Sequence, residues 1–402
     1  MKPSLARLAG VAVLSGATVL AAGCSPLSQV ISMRARPAAT CGRSRGVVLI
    51  LGAHRDAPAP ALDPRVACRV VAAIKGGKPV ILVEASGQPM LARLRLLPVD
   101  AGTLAQRGPP RVADDVRRVE EAIAGLRPRS PGVDDLDALA VAADAAHSAG
   151  VPHAQLILLD SGLDDRGALD FAAPGMVAAS PADVAHQLRA DGDDPDLAGF
   201  QVFLVGLGYT APPQPPLAAK WRSNVGLIWA AVIRSSGGSA ELIPQPAQGG
   251  SVRTSQPVRL VPVPAGRPVR PARRSVLVFT GASPVRFQPN LAAFADPAAA
   301  AKALGPIARW LAAAPSRHAS LVGTTADVGP MAGQTALARR RADRVRDELV
   351  RLGVSPGQIS STGVGSDFPQ FRPDRNAAGV LLAGPAELNR SVRITLRSRA
   401  SS

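Results

Sequence analysis

Four short runs of consecutive apolar residues most constrain what this chain can fold into: 46–52 (GVVLILG), 79–84 (PVILVE), 155–160 (QLILLD) and 200–206 (FQVFLVG). Runs that are apolar at nearly every position do not suit a strand with one wet face, so they predict strands covered on both sides. Helix-length patterns lie between them, at 114–126 with acids in its opening turn and at 135–149. Strands and helices alternating in this way predict an α/β domain with a largely parallel sheet over residues 46–235, closed by a helix in 224–234.

Residues 236–274 read differently, with Gly-Gly, repeated Pro and Gln, and six arginines against Glu241 alone. That composition predicts a linker, semi-stiff where proline accumulates, in which 257–264 (PVRLVPVP) offers an edge strand. A second domain begins near Ser275. Its pattern is a strand at 275–279, a helix at 297–314, a strand at 319–323, a helix at 335–352 and a last strand at 391–396.

The formal net charge of +16 over 402 residues invites a nucleic-acid reading, which the placement of the charge weakens. Residues 1–47 carry six basic and no acidic side chains, whereas 48–235 carry 18 basic and 21 acidic ones. Aromatic residues are only 3%, with Tyr209 the single tyrosine, so base-stacking platforms are scarce and no nucleic-acid partner is expected.

The first residues place Lys2 and Arg7 ahead of an apolar stretch over 8–20 that ends in small residues, as a secretory signal over 1–23 would. The stretch 20–24 (LAAGC) resembles a bacterial lipobox, which implies acylation of Cys24, a flexible tether over 24–45 and a membrane anchor without a span. Cys41 and Cys68 then remain as an even pair that an oxidising compartment would allow to bridge, although Cys68 in its Ala/Val helix-like stretch also suits a buried small hydrophobe.

Within the second domain, five ordered motifs stand out: 323–329 (GTTADVG), 337–342 (LARRRA), 352–354 (LGV), 363–365 (GVG), and Asn389-Arg390 with Val392. Residues 275–398 thereby resemble the OmpA-like peptidoglycan-binding domain, which implies an α+β fold of βαβαβ type. The resemblance further implies noncovalent binding of the peptidoglycan stem peptide at its diaminopimelate residue, in a cell-envelope protein that tethers membrane to wall. Carried over residue by residue, Asp327 and Arg341 hold the zwitterionic end of that ligand, and Thr325, Gly329, Gln334, Leu337 and Arg390 occupy the accompanying motif positions.

Physical chemistry supports the first two. An ammonium and a carboxylate on one carbon need an acceptor anion and a planar bidentate donor close together. At 100° per residue, Leu337, Ala338, Ala342, Val345, Leu349 and Leu352 form an apolar stripe that contains Arg341 and excludes Arg339, Arg340, Arg344, Arg346 and Arg351. A guanidinium on a buried face needs an anion, either a ligand or a loop acid such as Asp327.

Catalytic patterns are missing from the sequence. His54, His147, His153, His186 and His318 are scattered without metal-ligand or nucleophile-base spacing, so neither enzyme nor cofactor is expected. Residues 160–165 (DSGLDD) follow a strand, yet the metal pattern of von Willebrand A domains, which they resemble in part, fails at both serine positions; three acids there could still collect a hard cation, but an acidic turn is commoner and no metal is assigned. Residues 206–211 match GxGxxA, but prolines follow where a phosphate-facing helix should start. The competing reading is a secreted ligand- or metal-binding protein whose N-terminal domain carries the activity and whose C-terminal domain only retains it at the wall.

Overall fold

The computed structural model describes residues 44–52, 54–62, 64–96, 109–244, 250–264 and 269–398. Cys24, Cys41, the signal segment and nearly all of the tether lie outside these residues. Cys68 is disulfide-bonded.

The apolar runs become the centre of a six-stranded sheet. Its strands are β1 (Val47–Gly52), β2 (Val80–Ala85), β3 (Met90–Leu96), β4 (Gln155–Leu159), β5 (Gln201–Val205) and β6 (Ser239–Ile243), in the order β3-β2-β1-β4-β5-β6. All neighbours are parallel except the β2–β3 pair. Every residue of β1, β2 and β4 is buried, as strands with helices on both faces require. Helices α1 (Pro64–Lys75) and α2 (Pro109–Ala124) cover one face, and α3 (Asp135–Ser148), α4 (Pro181–Asp191) and α5 (Ala219–Ser235) cover the other.

The stretch expected to be linker is partly structural. Ser239–Ile243 is β6, because its backbone completes the edge beside β5. Residues 250–264 form no strand and run along the N-terminal domain. Pro257 accepts the Gly132 N–H at 2.9 Å, Val261 N–H donates to Gln214 Oε1 at 2.7 Å, and Trp221 Nε1 donates to the Pro264 carbonyl at 3.3 Å. Proline interrupts the run of N–H groups a ladder needs, so the segment attaches through separate hydrogen bonds to side chains and loops and not as a strand.

The C-terminal domain is a four-stranded mixed sheet, β7 (Val276–Thr280), β8 (Arg317–Gly323), β9 (Ile359–Gly363) and β10 (Ser391–Ser398), ordered β7-β10-β8-β9. Only β8 and β9 are parallel, and β10 runs antiparallel to both its neighbours. Helices α6 (Pro297–Ala312) and α7 (Met331–Arg351) enclose the core with this sheet, and a short helix α8 (Ala383–Asn389) leads into β10. Asp296 caps α6 by accepting the Ala299 N–H, with Pro297 in the first turn. Two motif glycines set the distance between sheet and helix. A Cβ at Gly323 would stand 2.0 Å from the Ala338 carbonyl oxygen, and one at Gly363 would stand 2.1 Å from the Arg339 nitrogen.

The two domains touch. Ala383 of α8 belongs to the apolar core of the N-terminal domain, and its N–H donates to Gln187 Oε1 at 2.9 Å. Asn376 Nδ2 donates to Asp191 Oδ1 at 2.8 Å, and Arg390 pairs with Asp183 at 2.6 Å.

Candidate ligand-binding site

The loop between β8 and α7 carries the first set of predicted residues. Its start is clamped by Thr324, whose N–H donates to the Ser391 carbonyl and whose hydroxyl donates to the Asn389 carbonyl at 2.6 Å. Asp327 N–H donates to Asp374 Oδ2, an oxygen that also accepts from Asn389 Nδ2, so the two flanking loops are cross-braced. Gln334 holds the loop from the helix side, donating from one amide nitrogen to Asp327 Oδ1 and to the Gly329 carbonyl, each at 2.9 Å. Gly329 has φ of +78°, a conformation that glycine adopts without strain. The Thr325 hydroxyl is buried beside this loop and has no hydrogen-bond partner.

Arg341 lies two turns beyond Gln334 on α7, with Leu337 half-buried one turn before it. It is 6% exposed, its Nε donates to the Leu291 carbonyl at 3.0 Å, and its guanidinium stands 5.3 Å from the centre of the Phe287 ring. Among the described residues no carboxylate lies within ion-pair distance of it. Burial first, and the neighbouring Arg390 next, bring its pKa down to about 10, so it stays charged at neutral pH.

Asp327 and Arg341 therefore do not pair with each other, and the loop-acid alternative for Arg341 is excluded. Asp327 instead receives Arg375, with Nε 3.4 Å from Oδ2, and its own carbonyl accepts from the same guanidinium at 2.6 Å. Arg375 comes from the loop between β9 and α8, and nothing in the sequence pattern pointed to it. The outward arginines of α7 are mostly neutralised within the helix: Arg339 pairs with Asp343, Arg346 with Asp343 and Asp347, and Arg344 and Arg351 share Glu348.

Residues 286–378 match the family model described as "OmpA family". The C-terminal domain is OmpA-like. Outer membrane porin F of Pseudomonas fluorescens is 38% identical over 63 residues, and the match spans 16% of this chain and only about a fifth, 19%, of that protein. Among solved structures, the peptidoglycan-associated lipoprotein of Burkholderia pseudomallei is 24% identical, with a TM-score of 0.23, 28% of this chain covered and 88% of that one. The periplasmic domain of Helicobacter pylori MotB is 22% identical, with a TM-score of 0.26 and coverage of 33% and 80%.

Beside the OmpA-like domain, the N-terminal domain holds a polar cluster that joins His54 to the acidic turn 160–165. It sits at the carboxyl ends of β1 and β4, where the strand order reverses. His54 is buried between two carboxylates, with Nδ1 2.5 Å from Asp56 and Nε2 2.7 and 2.8 Å from the two oxygens of Asp160. A Cβ on Gly52 would overlap the Asp160 carboxyl group, so the glycine admits this contact. Burial opposes a charge on His54, but Asp160 and then Asp56 outweigh it and hold the imidazole well above its ordinary pKa.

The neighbouring Asp135 is pushed well up by burial and by Asp160 and Asp164. Asp164 and Asp165 accept backbone N–H groups of Leu136 and Val133, as acids that shape turns do. Among the described residues no group of three or more His, Cys, Asp or Glu is arranged to hold a metal ion.

Proposed function

We propose that the protein binds peptidoglycan noncovalently through its OmpA-like domain, with Arg341 receiving a carboxylate of the stem peptide. The observation that carries this reading is the guanidinium of Arg341, nearly closed off from water and, among the described residues, with no carboxylate within ion-pair distance. A buried cation of this kind is costly unless an anion completes it. Asp327, half-exposed at the tip of the braced loop, supplies the acceptor for an ammonium, so a diaminopimelate end with both groups on one carbon suits the pair. Thr325 adds an unpartnered hydroxyl, Gln334 and Gly329 fix the loop, Leu337 lines the helix side, and Arg390 adds a second cation.

The position of such a domain in the cell follows from the sequence rather than from the fold. The signal segment and the lipobox-like Cys24 support an extracytoplasmic protein anchored to a membrane by lipid, with the wall as its second attachment. No helix of the described residues is long and apolar enough to cross a membrane.

Sedimentation of the full chain with insoluble peptidoglycan tests the site. Wild type is expected in the pellet. Arg341→Ala should weaken retention at least tenfold, as loss of a desolvated charge-assisted pair does, and Asp327→Ala should weaken it by about three- to tenfold. Free diaminopimelate should release the wild type. Equal retention of wild type and Arg341→Ala, with both folded by circular dichroism, overturns the assignment of the site.

A further inference from the structure

The face on which α4 meets α8 lies against the proposed wall site, and it contains a carboxylate on one of that site's cations. Arg390 Nη1 stands 2.6 Å from Asp183 Oδ2, and both side chains keep 24% exposure. Arg390 is flanked by Asn389 and Ser391, whose carbonyls both accept from Thr324 at the root of the loop that carries Asp327. Its charge also reaches Arg341, whose pKa it lowers.

Three further contacts surround this ion pair: Gln187 on the Ala383 N–H, Asp191 on Asn376, and Lys220 Nζ on the Ala282 carbonyl at 3.3 Å. All three are hydrogen bonds. Apolar packing accompanies them, with Ala383 and Ala282 on the N-terminal core and Met176 and Leu388 close to the facing glycines Gly384 and Gly175. Junctions between domains of one chain commonly resemble transient interfaces, for which relative motion is the default.

We propose that Asp183 is an internal stand-in for a ligand carboxylate, and that the N-terminal domain thereby latches the wall site shut until peptidoglycan displaces it. This rests on the wall-binding reading above. A carboxylate of the stem peptide competes with Asp183 for Arg390, and its arrival releases α4 from α8. Thermodynamic reciprocity then requires that whatever opens the junction also tightens wall binding.

The test uses the full chain with Asp183→Asn, which keeps the shape and removes the charge, and Asp183→Arg, which repels Arg390. Two quantities are read: the rate of proteolytic cleavage between residues 264 and 276 without any wall material, and retention on insoluble peptidoglycan. Both variants should be cut faster than wild type and should bind about fivefold tighter or better, the lower end of ordinary coupling between sites. Soluble diaminopimelate-containing stem peptide should speed cleavage of the wild type.

Faster cleavage with unchanged retention overturns the latch, and so does weaker retention, which would make Asp183 part of the ligand site. Unchanged cleavage in both variants overturns it as well. Failure of the wall-binding reading has a separate signature, namely equal retention of wild type and Arg341→Ala, and the cleavage rates are measured without reference to it.

Discussion

Glu387 shows how much one side chain can carry at this junction. Its carboxyl is buried, one oxygen has no hydrogen-bond partner, and it occupies the space that a Cβ on Gly281 would fill. Burial first, with Asp183 adding to it and Arg390, Arg341 and Arg286 opposing, raises its pKa from 4.5 to about 7. A carboxyl raised on folding binds its proton more tightly in the folded state, so its contribution is complete below pH 4.5 and is lost as pH rises through 7. The shift corresponds to about 3 kcal/mol. Urea titrations of the wild type between pH 4.5 and 8 should show stability falling by that order. Glu387→Gln, which stays neutral, should flatten this component; an unchanged slope in the variant would place the effect on another group.

At the scale of elements, the sheet–helix contact of the OmpA-like domain depends on glycine. Gly323→Ala would force β8 away from the Ala338 carbonyl, and overpacking against backbone costs about 3 kcal/mol. Thermal unfolding should therefore start well below that of the wild type, whereas Gly353→Ala, where a Cβ meets nothing, should cost only the strain of its φ of +95°.

The same elements explain what the sequence made legible. β1, β2 and β4 were readable because strands buried on both faces are apolar throughout, and Arg341 was readable because a charge interrupts an apolar helical stripe. α8 escaped notice: its seven residues, with Gly and Pro inside, are too few for a period to emerge. β9 (ISSTG) is mostly polar and pairs only along the edge of the sheet. His54 and Asp160 are 106 residues apart and become neighbours only through the strand order, and Arg375 reaches Asp327 across 48 residues. No local pattern encodes either contact.

For the whole molecule, the proposed arrangement rests on two segments, the lipobox-like stretch at Cys24 and the OmpA-like domain. If the lipid is the membrane attachment, Cys24→Ser should move the protein from the membrane fraction to the wall-bound and soluble fractions, and unchanged fractionation would assign membrane association to another part of the chain. Between these segments, the basic segment 250–264 is fastened to the N-terminal domain, and Arg259 contributes by pairing with Asp170 at 2.8 Å. Pro264 is fastened to the N-terminal domain and Val269 already packs against the core of the OmpA-like domain, so only four residues, 265–268, separate the two attachments. Fully extended, a stretch of that length spans at most about 18 Å. An opened OmpA-like domain consequently searches a volume only tens of ångströms across, so Asp183 stays at high effective concentration and recapture follows quickly when the wall lets go.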